Sequence, residues 1–147
     1  MGKRERLEEL RAALRMDASD PVNRLNKLRS ESLRFGDLEL AALCLLGLSE
    51  RELDLDRRAQ LQRQLVKEYP VFLAFRALAE TEVGRGRLPA ARVAYHSALH
   101  EAKEQTKEEI RLAIRSIDLA LAGDDSAIAD LRARRVQQES SAGDSAR

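Results

Sequence analysis

The sequence predicts an all-α protein built of antiparallel helical hairpins, and three observations predict it. Ala, Leu, Glu, Arg and Gln dominate the 147 residues while Val, Ile and Thr are few, a composition that favours helix over sheet. Apolar residues recur at helical spacing, as in Leu7, Leu10 and Leu14 or in Ile110, Ile114, Ile117 and Leu121. Each such set falls on one helical face. Glycine, proline and capping residues punctuate the chain at intervals one short helix long.

Taken in order, the first apolar stripe predicts a helix over 3–15. Asp20-Pro21 reads as an N-cap followed by proline in the first turn, opening a helix over 21–35. Gly36-Asp37 stops that helix and caps the next, over 38–48. Ser49 and Glu52 have capping-box spacing ahead of Leu53, which predicts a helix over 52–68. Pro70 ends it at Tyr69 and opens a helix over 71–84. Gly84 to Gly86 breaks the chain, and Leu88-Pro89 restarts it for a helix over 88–103. A further helix spans 106–122, and Gly123 followed by Asp124-Asp125 is again stop and cap, for a last helix over 125–137. The tail Gln138 to Arg147, rich in Ser, Ala, Gly and Asp, is expected to be disordered. The expectation is one helical domain over 1–137 with a tail over 138–147, a size at which roughly two-thirds of the chain's surface is buried on folding.

Composition limits the function. With 26 Lys+Arg against 25 Asp+Glu the net charge is +1, which argues against gripping nucleic acid or membrane by bulk charge. One cysteine excludes an internal disulfide framework and a cysteine-based structural zinc site. Trp is absent, with three Phe and two Tyr, so platforms for stacking bases are scarce. The longest apolar stretch, Leu40 to Leu48, falls far short of the ~20 residues that span a bilayer. The N-terminus is charged without an apolar segment, and Arg6 stands where myristoylation wants Ser or Thr. The expected location is cytoplasmic, with no membrane association.

The chain repeats itself. Aligning Gly36 with Gly86 brings Leu28 onto Leu78, Leu33 onto Val83, Leu38 onto Leu88, Ala41 onto Ala91 and Leu45 onto Tyr95. A proline opens each first helix, Pro21 in one copy and Pro70 in the other. The second copy supplies a packing pair, Leu78-Ala79, then the turn Gly86-Arg87-Leu88, then Ala91, Tyr95 and Ala98-Leu99 at small, large, small spacing. On these residues the stretch Leu65 to Leu99 resembles a tetratricopeptide repeat, and its second helix is similar to half-a-TPR repeats as well. In the first copy Arg29 replaces the small residue of the first helix, Leu45 the aromatic and Leu48 the second alanine. The segment from Ala13 to Pro21 resembles the end of a preceding repeat, and 106–137 a degenerate last one. The resemblance implies hairpins stacked as a short right-handed superhelix.

Candidates for chemistry are sparse. His96 and His100 stand four apart on one predicted helix, with Glu104 one turn further, a spacing able to place two imidazoles and a carboxylate on one metal. Beside the inward Tyr95 they are expected to be surface histidines, and no metal or other cofactor is expected. Cys44 lies in an apolar run and is expected to be a small buried hydrophobe. Gly84-Arg85-Gly86-Arg87 lacks the strand and the ending of a phosphate loop, and is expected to be a turn with two solvated arginines. Arg132, Arg134 and Arg135, with Arg111 and Arg115 on the preceding helix, form the densest basic cluster, offset by Glu108, Glu109, Asp118 and Asp130. No enzyme is expected.

The resemblance implies that the first helix of each hairpin faces a partner. Carried over residue by residue, the partner-facing positions are Asn23, Asn26, Lys27, Ser30 and Arg34 in one copy and Leu73, Arg76, Glu80 and Val83 in the other. Such side chains hydrogen-bond a peptide backbone and pair with its carboxylates, with Arg34 and Arg76 as the contacts to acidic groups. The expectation is a non-enzymatic adaptor or scaffold that docks a helix or extended segment of another protein, without a small-molecule substrate. Exposed leucines at the array ends are candidates for self-association. The alternative is a nucleic-acid-associated helical protein using the C-terminal arginines.

Overall fold

The computed structural model describes residues 2–133, which contain helices and no strand. In chain order the helices are α1 (Lys3–Ala13), α2 (Pro21–Arg34), α3 (Leu38–Arg51), α4 (Leu55–Glu68), α5 (Phe72–Gly84), α6 (Leu88–Glu101) and α7 (Glu104–Leu121). A further helical stretch runs over 126–133. The tail expected over 138–147, and the last residues of the helix expected over 125–137, lie outside the described residues.

Two expected boundaries and one expected side-chain cap are corrected. Ser49 and Glu52 do not form a capping box. The Ser49 hydroxyl donates to the Leu46 carbonyl inside α3 at 2.7 Å, and α3 runs on to Arg51. Asp54 caps α4 instead, its carboxylate accepting from the Asp56 and Arg57 amides. At Asp20 the backbone is left-handed (φ +50) and the side chain caps no amide; it accepts from the Asn23 side chain at 2.9 Å. The helix expected over 88–103 ends at Glu101 because Ala102 turns extended, so Glu104 opens α7 and does not continue α6.

The chain packs as two compact units that meet in sequence between Tyr69 and Pro70. In the first unit Leu10 and Ala13 of α1 close on Leu25 and Leu28 of α2 and on Leu40, Cys44 and Leu48 of α3. Arginine forks fasten the helices around this core. Arg24 of α2 donates to both carboxylate oxygens of Glu9 on α1, at 2.8 and 3.3 Å. Arg29 of α2 reaches Glu68 at the end of α4, at 2.8 and 3.0 Å. Arg51 donates to the carbonyls of Gly47 and Ala13, satisfying the end of α1. The residue that departs from the repeat pattern, Arg29, thus serves as a tie between two helices.

In the second unit Ala79 and Val83 of α5 and Ala91, Ala94 and Tyr95 of α6 meet Ile110, Ala113, Ile114, Ile117 and Ala120 of α7. Ile128 and Leu131 of the 126–133 stretch close the same cluster. Small residues on α5 and α6 let these helices approach closely, and Tyr95 supplies bulk toward α7.

The duplication extends to individual backbone hydrogen bonds. The Asp37 amide donates to the Ser32 carbonyl, the Phe35 amide to Glu31 and the Gly36 amide to Leu33. Fifty residues on, Arg87 donates to Glu82, Arg85 to Thr81 and Gly86 to Val83. Each set is a Schellman-type helix end, and both glycines are left-handed, with φ of +73 and +75. The second helices begin and end in the same register, at Leu38–Arg51 and Leu88–Glu101.

Candidate functional site

The α2 row is built by helical spacing. Leu25, Leu28 and Ser32 are buried, so the opposite side of the helix carries Asn23, Asn26, Lys27, Ser30 and Arg34, all of them exposed. Asn26, Lys27 and Ser30 make no side-chain hydrogen bond or ion pair among the described residues. Arg34 has no carboxylate partner there and lies 5.7 Å from the centre of the Phe35 ring.

The α5 row differs. Leu73 is exposed, but Val83 is only 4% exposed and belongs to the core of the second unit. Its expected place on a partner-facing side is corrected, because Val83 packs into the core that α5 shares with α6, and Arg132 of the 126–133 stretch reaches its carbonyl. Arg76 stacks 5.2 Å from the Phe72 ring centre and lies 3.9 Å from Glu80 and 3.8 Å from Glu109 of α7. Two carboxylates of its own chain already face this arginine.

The turn arginines also separate. Arg85, expected to be solvated, is half-buried, and its largely covered side chain pairs with buried Glu82 at 2.6 Å; Arg87 is exposed. His96 and His100 are exposed and line a shallow hollow with Phe75, Val93, Ser97 and Glu101. Glu104 is held away on α7, accepting from the Lys107 ammonium at 2.7 Å. Among the described residues no group of three His, Cys, Asp or Glu is placed to hold a metal. Cys44 is fully buried, and burial pushes its thiol up to about 11, so it is not poised as a nucleophile.

Of the basic cluster, Arg111 and Arg115 are exposed on α7, while Arg132 donates to the Val83 carbonyl at 3.5 Å. Arg134 and Arg135 lie outside the described residues. Asp118 is engaged by Arg92 of α6 at 2.6 Å, and that hydrogen bond holds its carboxyl below the ordinary range. No helix among the described residues is long and apolar enough to cross a membrane.

Sequence reasoning passed over the apolar end of the α2–α3 hairpin. Leu33, Phe35 and Leu38 are 42%, 54% and 59% exposed. The signal was present, since Leu33 and Leu38 align with Val83 and Leu88, but only tertiary packing separates covered from open copies. Comparison of the chain with protein-family models, with curated proteins and with solved structures returns no match.

Proposed function

We propose that this chain is a non-enzymatic interaction module, a tetratricopeptide-like adaptor that docks a segment of another protein on its hairpins. The observation that carries the proposal is the α2 row, in which exposed amide, hydroxyl and cationic side chains are left without internal partners on a helix whose other side is buried. Asn26 and Ser30 are suited to a peptide backbone, and Lys27 and Arg34 to carboxylates. The fifty-residue register of the two hairpins supports the repeat character. In the second unit Arg76 is matched internally by Glu80 and Glu109, so the α2 row of the first unit is the contact.

The test is a nuclease-treated pull-down from the native cell extract, comparing the wild type with Lys27→Glu/Arg34→Glu and with Arg76→Glu. A discrete protein captured by the wild type, lost with the α2 pair and retained with Arg76→Glu is the expected result. Capture that survives the α2 reversal counts against this surface. Capture that disappears on nuclease treatment, and that weakens steeply with salt, transfers the function to Arg111, Arg115 and the arginines beyond them.

A further inference from the structure

The second unit carries both histidines of the chain, four residues apart and exposed toward the end of α6. Neither His96 nor His100 makes a side-chain hydrogen bond or ion pair among the described residues. Positions four apart on a helix are neighbours, with Cβ atoms about 5–6 Å apart. Two imidazoles so placed can reach one ion at ~2.0–2.1 Å. Both rings line the same shallow hollow, with Phe75 of α5 and with Val93, Ser97 and Glu101. Its one charged group is the Glu101 carboxylate, and no lysine or arginine lines it among the described residues. Arg92, one turn before His96, is already engaged by Asp118 of α7 at 2.6 Å. The carbonyl end of α6 lies beside His100, and its partial negative charge also favours a cation.

We propose that His96 and His100 form a two-imidazole chelate for a divalent transition-metal ion, whose remaining positions stay open to water. Imidazole suits copper, nickel and zinc, and copper(II) binds such nitrogen donors most tightly of the divalent first-row ions. Glu101 contributes charge to the hollow and not a bond, since among the described residues no group of three His, Cys, Asp or Glu is placed to hold a metal. An open sphere separates this site from a structural zinc site, in which four protein ligands close it. The ion is therefore exchangeable and able to take a further donor from outside the chain. The site lies in the second unit, away in sequence from the α2 row, and stands independently of the adaptor reading.

The experiment titrates copper(II), and separately zinc(II), into the full chain against a chromophoric chelator, with NMR signals followed in parallel. One ion per chain should bind, and copper(II) should broaden the signals around residues 96–100 first. His96→Gln and His100→Gln, both at exposed positions, should each weaken binding by at least about tenfold, because the second imidazole no longer acts at high effective concentration. The decisive variant is His100→Gln/Glu101→His, which keeps two histidines and breaks their spacing; it should bind as weakly as the single variants. Metal should also raise the urea midpoint of the wild type and not of this variant, since the chelate exists only on the folded helix. No saturable binding, or broadening centred elsewhere in the chain, overturns the proposal. Equal affinity in the wild type and the spacing variant overturns it as well, by reducing it to scattered surface imidazoles. Saturation at one ion per two chains, with a metal-dependent dimer in sedimentation, overturns the open sphere by closing it with a second copy.

Discussion

At Gly36 and Gly86 the backbone passes through the left-handed region, with nothing within 4 Å of where a Cβ would stand. The cost of alanine there is therefore conformational and not steric. Gly36→Ala and Gly86→Ala should each lose about 1–2 kcal/mol, read as a lower urea midpoint with an unchanged slope. Gly47 differs: a Cβ would lie 2.7 Å from a Leu14 methyl and 3.4 Å from a methyl of buried Leu25. There the far end of the exposed Leu14 side chain must shift to admit a Cβ, so the effect of alanine is set by that side chain and not by the backbone. The glycine–aspartate and glycine–arginine turns were legible in the sequence because local backbone geometry decides them. The left-handed Asp20 was not, since a proline at N1 and a neighbouring asparagine gave no warning of it.

Paired helices show how one plan tolerates different chemistry. In the first hairpin the buried Ser32 hydroxyl donates to the Leu28 carbonyl, and Phe35 follows three residues on. In the second, the matching positions are Glu82 and Arg85, a buried ion pair. Removing one partner of such a pair strands the other. Glu82→Ser should cost about 3 kcal/mol. Glu82→Ser/Arg85→Phe, which copies the first hairpin, should recover at least about 1 kcal/mol of it, as measured by urea unfolding. Equal losses in the single and double variants would mean that the pair is not coupled. Capping mistakes belong to this scale as well. Ser49 and Glu52 have the right spacing, but a serine hydroxyl satisfied by a carbonyl of its own helix opens no new one.

Across the whole molecule the carboxylates of Glu9, Glu68, Glu104 and Asp118, bonded to arginine or lysine, are lowered, while burial raises Glu50. The Arg24 hydrogen bond lowers Glu9, and the Lys107 hydrogen bond lowers Glu104. Burial pushes Glu68 upward, but the hydrogen bonds of Arg29 and Gln64 with the Arg29 charge bring it below its ordinary value. Asp118 is lowered by Arg92. A carboxyl lowered in the folded state binds its proton sooner when the chain unfolds, so its contribution is present above the unfolded value and lost as pH falls through the folded one. The urea midpoint should therefore drop as pH falls below about 4.5, and Glu68→Gln should make that drop smaller. A midpoint that rises on acidification would contradict the sign. The arginine content of the chain finds its use in these ties between helices, a role that composition alone does not disclose.

Helical class, most element boundaries and the fifty-residue duplication were determined by the sequence alone, because period, caps and glycine turns act within a few residues. The burial of Cys44, Tyr95 and the Ile110–Ile117 stripe was legible for the same reason. Which copy of a repeated surface stays open was decided only by tertiary structure. Val83 and Leu33 are the same position in two hairpins, yet one is buried in the core of its unit and the other is 42% exposed. Arg76 and Arg34 were equal candidates in the sequence, and the placement of Glu109 on α7 separated them. Exposure and ion pairing depend on residues distant in the chain, and no local pattern encodes which of two like helices will meet them.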